Sequence, residues 1–152
     1  MKKEVVQVEI KGMFPATKGC ALFLGNETKV FVIDIPTSMA EVIDSFSRDL
    51  SKERPLTHDL MMSVFAGFGI TLDRVIITSL KDTTYFARII LNQHNELARK
   101  IVEIDARPSD CLALATAQKR PIYVTTSLME QVEDMSEVLE RFKGKIVTPR
   151  WD

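Results

Sequence analysis

The feature that most restricts the fold of this chain is a hairpin near its middle. Residues 75–80 (Val-Ile-Ile-Thr-Ser-Leu) and 84–91 (Thr-Tyr-Phe-Ala-Arg-Ile-Ile-Leu) are dense in β-branched and aromatic side chains, and Lys81-Asp82-Thr83 supplies a polar turn between them. Two such runs so close in sequence pair antiparallel, because a parallel partner needs a crossover of a dozen or more residues. Similar signals flank the hairpin. Val6, Val8 and Ile10 alternate with polar residues as in a half-buried strand, and Gly12-Met13-Phe14-Pro15 reads as a loop. Residues 21–24 and 30–35 form a second hairpin across Gly25-Asn26-Glu27. After a turn at His94-Asn95-Glu96, residues 100–105 make another strand, with Val102 and Ile104 on one face and Ile101 and Glu103 on the other.

Helical periodicity occupies the gaps. Ser38 and Glu41 match a capping box ahead of a stripe of Val42, Ile43, Phe46 and Leu50. Thr57 is placed to cap a second helix that buries Leu60, Met61, Val64, Phe65 and Phe68, with Gly67 and Gly69 as its stop. Arg107-Pro108-Ser109-Asp110 opens a third helix with proline in the first turn, and its lining of Leu112, Ala113, Ala115 and Thr116 suits close packing on a sheet. A short strand at 122–125 and a closing helix over 127–142 follow. Strands and helices mixed without strict alternation predict one α+β domain, a largely antiparallel or mixed sheet carrying about four helices. The domain is expected over residues 1–143, with 144–152 a loosely held tail.

Composition removes whole function classes. Twenty basic residues against twenty-one acidic ones give a net charge of −1, so nucleic-acid contact must come from a local basic patch. No stretch approaches the roughly 20 apolar residues of a membrane span, and the N-terminus lacks the pattern of an export signal. A cytoplasmic protein without membrane contact is expected. Cys20 and Cys111 are then free thiols, and the chain has no CxxC pair for zinc. It also has no Walker A loop, HExxH or Gly-x-Ser-x-Gly.

Two similar helix starts carry the chemistry that is left. Arg54-Pro55-Leu56-Thr57-His58-Asp59 and Arg107-Pro108-Ser109-Asp110 each place an arginine, a proline, a hydroxyl and an aspartate at a helix N-terminus. Unpaired N–H groups and the positive end of the helix dipole suit phosphate or carboxylate there. The aspartates could hold a hard divalent cation instead, and equally all of these residues are ordinary caps. His58 could move a proton or simply cap its helix. Asp105 ends a strand two residues before Arg107 and is expected near Asp110, where two carboxylates need a cation, a proton or an arginine between them. Arg88 shares a strand face with Phe86 and Ile90 and needs an anionic partner, while Tyr85 points to the core.

Arg54-Pro55-Leu56-Thr57-His58-Asp59-Leu60, Asp82-x-Thr84-Tyr85-Phe86-Ala87-Arg88 and Ile104-Asp105-Ala106-Arg107-Pro108-Ser109-Asp110 resemble, in wording, order and spacing, the bifunctional nuclease domain family. The chain departs from that pattern at Thr83, where glycine is usual, at Cys111, where alanine is usual, and in the first helix segment. The resemblance implies an α+β domain acting on DNA and RNA, and a homo-oligomer, most simply a dimer. The scheme that follows is a metal-assisted phosphodiesterase with little sequence preference. Asp59, Asp105 and Asp110 would hold Mg2+ or Mn2+, and His58 would move a proton beside the three aspartates. Arg54, Thr57, Arg88, Arg107 and Ser109 would bind substrate. The alternative is a non-catalytic anion- or nucleotide-binding module, or a purely structural Arg–Asp network.

Overall fold

A computed structural model describes residues 4–144. Seven strands form one mixed sheet in the order β3-β2-β1-β7-β4-β5-β6: β1 (Val5–Pro15), β2 (Cys20–Gly25), β3 (Val30–Ile35), β4 (Ile70–Lys81), β5 (Thr84–His94), β6 (Arg99–Ala106) and β7 (Ile122–Thr125). Five helices complete the α+β domain: α1 (Thr37–Ser47), α2 (Thr57–Gly67), α3 (Pro108–Gln118), α4 (Thr126–Gln131) and α5 (Ser136–Gly144). Neighbouring strands are antiparallel except β4 and β7, which run parallel over Val75–Ile77 and Ile122–Val124.

The central hairpin forms as its sequence predicts, and longer. Lys81 faces Thr84 across a two-residue turn in which Asp82 takes φ 57°, a conformation that aspartate tolerates better than most residues. The expected loop at Gly12–Pro15 is strand instead. After a register shift between Ile10 and Gly12, β1 continues along β2, because Phe14 is buried in a second apolar cluster with Phe23, Val30 and Leu139.

Three helix boundaries differ from expectation. Pro36, not Ser38, is the N-cap of α1; its fixed φ of −62° presents its carbonyl to the N–H groups of Met39 and Ala40, and no side chain caps this end. Leu56 is the N-cap of α2, with Thr57 already helical. The single closing helix is two. Between α4 and α5 the Asp134 carboxylate accepts from Val30 N–H at 3.0 Å and from the Ser136 hydroxyl at 2.6 Å, while Met135 N–H donates to Val30 O. This tether to β3 cannot be made by residues inside a continuous helix. Leu50 lies beyond α1 and is exposed, and the tail falls outside the described residues, apart from Gly144.

Helices cover the sheet unequally. α1 and α3 lie on one face, where Leu112, Leu114, Ile43, Val75 and Ile77 form the main core. Each such side chain contributes about 1.5–3 kcal/mol by leaving water. α5 covers the other face only over β1, β2 and β3, through Leu139, Val138 and Phe142. The second face of β7-β4-β5-β6 stays open. Two glycines separate a backbone requirement from mere tolerance. A Cβ at Gly25 would stand 2.3 Å from Lys29 O and 2.7 Å from Val30 Cα, whereas one at Gly67 meets nothing within 4 Å. Gly25→Ala should therefore cost more than about 2 kcal/mol in urea unfolding, and Gly67→Ala should gain about 0.5–1 kcal/mol.

Candidate functional site

The two helix starts meet through one bond. His58, in the first turn of α2, is buried, and its Nε2 lies 2.9 Å from Oδ1 of Asp110 in the first turn of α3. The imidazole stands edge-on to Phe46 of α1 at 6.4 Å. A carboxylate that accepts from one ring nitrogen orients the ring and fixes its tautomer. The bond thus ties α1, α2 and α3 together on the covered side of the sheet.

Asp59 is occupied differently. Its Oδ2 accepts from Leu56 N–H at 2.8 Å, and both oxygens lie 3.0 Å from Lys52 Nζ, which sits over the Phe46 ring. Burial alone would raise its pKa, but the Leu56 N–H and the Lys52 ammonium outweigh it and hold the carboxyl below its ordinary range. Arg54 and Thr57 are exposed just upstream.

At the other start, β6 runs into α3 with Arg107 as N-cap, exposed, and Ser109 buried. Asp105 faces Arg88 in the β5–β6 register, on the open side, since the next pair, Ala87 and Ala106, turns inward. Burial, then Asp110, then Asp105 push the Cys111 thiol up to about 12, so both carboxylates act on the same turn. Asp110 reaches inward to His58, however, while Asp105 lines the open face. Among the described residues no three His, Cys, Asp or Glu side chains converge as a metal group.

The open face itself is a cleft of about 1130 Å³. Arg74, Lys81, Arg88 and Arg120 line it with Asp73, Glu103 and Asp105, and Phe86 and Tyr123 add aromatic surface. Asp73 pairs with Arg74, its carbonyl accepts from Arg120 at 2.8 Å, and Glu103 lies 3.7 Å from Arg88. The Asp105 carboxylate has no ion pair or side-chain hydrogen bond among the described residues, although its backbone lies in the β5–β6 ladder. Arg88 thus finds its carboxylate in Glu103, and Tyr85 points inward as predicted, its hydroxyl donating to Val32 O at 3.1 Å. Sequence reasoning missed Arg74, Lys81, Arg120 and Tyr123. Alternation along the hairpin could have put Arg74 and Ile76 on the face of Arg88, but Tyr123 joins them only because β7 inserts beside β4.

A model of the bifunctional nuclease domain matches residues 22–137, which takes in α2, the hairpin, β6 and α3. The chain belongs to the bifunctional nuclease domain family. Two relatives from strains of Mycobacterium tuberculosis, Uncharacterized protein MT1877 (strain CDC 1551) and Uncharacterized protein Rv1829 (strain H37Rv), are each 32% identical over 106 residues. The match covers 70% of this chain and 60% of either relative, so the chain spans less than two thirds of their length. No helix among the described residues is long and apolar enough to cross a membrane.

For this bifunctional nuclease domain, the Asp59 contacts predict a pH signature. A carboxyl whose folded pKa is depressed stabilises the fold above its unfolded pKa and loses that contribution as pH falls through the folded value. Asp59→Asn should lose about 1 kcal/mol at pH 7, and its deficit against the parent should shrink below the ordinary aspartate value of 3.8 in denaturant titrations.

Proposed function

We propose that this domain hydrolyses phosphodiester bonds in DNA and RNA with little sequence preference, on the open face of β7-β4-β5-β6, in the cytoplasm and as a homo-oligomer. The observation that carries the reading is one exposed carboxylate, Asp105, without a counter-ion among the described residues, in a cleft that also holds four cationic side chains, two of them paired with Asp73 and Glu103, and two aromatic rings. Guanidinium and ammonium groups bind backbone phosphates whatever the sequence, and ring faces accept any base. The overall charge of −1 means that this local cluster, not the whole protein, supplies the attraction.

The donors suit a hard divalent cation. Mg2+ and Mn2+ take oxygen ligands, and Mg2+ is commonly held by one or two carboxylates with the rest of its shell from water and substrate phosphate. Asp105 is the group that would hold it here. Such a cation, when bound, supplies an activated water and neutralises charge on the phosphate. Arg88, opposite Asp105 on β5, orients the scissile phosphate, and Arg74 and Arg120 hold its neighbours. Asp59 and Asp110, committed to Lys52 with Leu56 N–H and to His58, serve this reading by fixing the starts of α2 and α3.

One observation favours a second reading, an anion-binding module without catalysis. A separate cleft of about 520 Å³ is lined by Arg107, the buried Ser109, Asp34, Asp82 and Tyr85 at the start of α3. The two readings part in one set of assays. Nuclease activity predicts cleavage of single-stranded RNA and DNA with Mg2+ or Mn2+ and none in EDTA, with Asp105→Asn lowering the rate at least 100-fold at an unchanged Tm. Arg88→Ala should weaken binding evenly across sequences and flatten log affinity against log salt by about one unit. No cleavage with any divalent cation, alongside mononucleotide binding that Arg107→Ala abolishes, would replace the first reading with the second.

A further inference from the structure

Two of the longer helices start in the same cleft. Pro36, the N-cap of α1, and Arg107, the N-cap of α3, both line the smaller cavity of about 520 Å³. Each helix runs for 11 residues, and no side chain caps either start. The opening N–H groups of a helix lack partners within it and carry its positive partial charge. In α3 the first helical residue, Pro108, has no N–H, so the first backbone donors belong to Ser109 and Asp110. Asp110, the one acidic residue in either first turn, gives its carboxylate to His58 and does not line the cavity. A second observation marks a ligand site. Ser109 is 6% exposed, and its hydroxyl makes no hydrogen bond among the described residues. No fully enclosed side-chain oxygen among those residues lacks a partner, so the Ser109 oxygen opens into the cleft that its residue lines. Arg107 is exposed at the same helix start and has no ion pair among the described residues.

The rest of the lining has a different chemistry. Asp34 of β3 and Asp82 of the hairpin turn are exposed carboxylates, which accept from hydroxyl groups, and Val32 and Leu80 add apolar surface. Two positive helix ends, an arginine and a free hydroxyl suit a doubly charged phosphate, while carboxylates beside apolar side chains suit a sugar and a flat ring. We infer that this cleft binds a nucleoside monophosphate and prefers its phosphomonoester to a phosphodiester. A monoester carries nearly two negative charges at neutral pH and presents three acceptor oxygens. A diester carries one charge, and its second ester carbon has to lead out of a cavity sized for a single small ligand. Capture of a monophosphate here rests on the anion-binding reading of this cleft. It is compatible with cleavage on the open face, because the two clefts share no lining residue: Lys81 and Phe86 belong to one, and Asp82 through Tyr85 to the other. Hydrolysis of a diester leaves one monoester and one hydroxyl, so a domain with both clefts would retain what its own reaction makes.

Titration calorimetry on the intact chain in EDTA tests the assignment. The probes are the 5′-monophosphates of the four ribonucleosides, their 3′,5′-cyclic diesters and the free nucleosides. At least one monophosphate should bind, one per chain, with its cyclic diester and its nucleoside each weaker by roughly tenfold. Ser109→Ala and Arg107→Ala should each weaken the monophosphate by about the same factor at an unchanged Tm, since neither side chain has a protein partner among the described residues. Arg88→Ala, in the open cleft, should leave monophosphate binding as it was. Cyclic diesters that match the monophosphates, with both lost in Arg107→Ala, would overturn the monoester preference and leave the anion-binding reading standing. No binding of any monophosphate, or binding lost in Arg88→Ala and kept in Ser109→Ala and Arg107→Ala, would overturn both.

Discussion

Everything else in this fold depends on four residues pairing in two directions at once. β7 hydrogen-bonds antiparallel to Val5–Val8 and parallel to Val75–Ile77, so it joins the sheet half made by β1, β2 and β3 to the half made by β4, β5 and β6. Its last residue secures the join. Thr125 is buried, its hydroxyl donates to Thr78 O at 2.8 Å and accepts from Leu128 N–H, and it caps α4 in the same contact. Without this strip, β1 and β4 would each present a bare edge, an arrangement that invites association with other chains. The join also brings Tyr123 beside Ile76 and sets the floor of the open cleft.

The second organising fact is that coverage stops where the join begins. β1, β2 and β3 are sandwiched between α1 and α5, whereas β4, β5 and β6 have helices on one side alone. On the bare side the sheet has to meet water, so charged residues take alternating positions there, interspersed with Ile76, Phe86 and Ile90. That necessity places Arg74, Arg88 and Asp105 together before any function is considered. What exceeds solvation is the imbalance, with Asp73 and Glu103 neutralised by arginines and Asp105 left alone.

Much of this was legible beforehand, and the reasons divide by range. The hairpins, the proline-started α3 and the inward Tyr85 rest on neighbours in sequence, and local periodicity carries that information. The misreadings concern what a distant segment does. Gly12–Pro15 became strand because Phe14 had Leu139 to pack on, and the closing helix broke because Asp134 had Val30 N–H to bind. The α2 stripe was read as buried, although Leu60, Val64 and Phe68 are exposed, because periodicity shows that a face is apolar without saying what lies opposite. At the site, the Arg-Pro starts pointed to His58, Asp59, Asp105 and Asp110, and the fold joins His58 to Asp110, gives Asp59 to Lys52 and turns Asp105 outward. Spacing along a strand shows which face a carboxylate takes, not which cation it meets.

The two cysteines carry a consequence of a different kind. Cys20 lies on β2 in one half of the sheet and Cys111 on α3 against the other, both fully buried, with thiols pushed up to about 11 and about 12. Only a thiolate reacts readily, so each sulfur is silent until its surroundings open. The chain therefore contains its own pair of clocks. The speed at which each thiol is alkylated reports how often its half opens, and equal speeds would mean that the halves breathe as one cooperative unit.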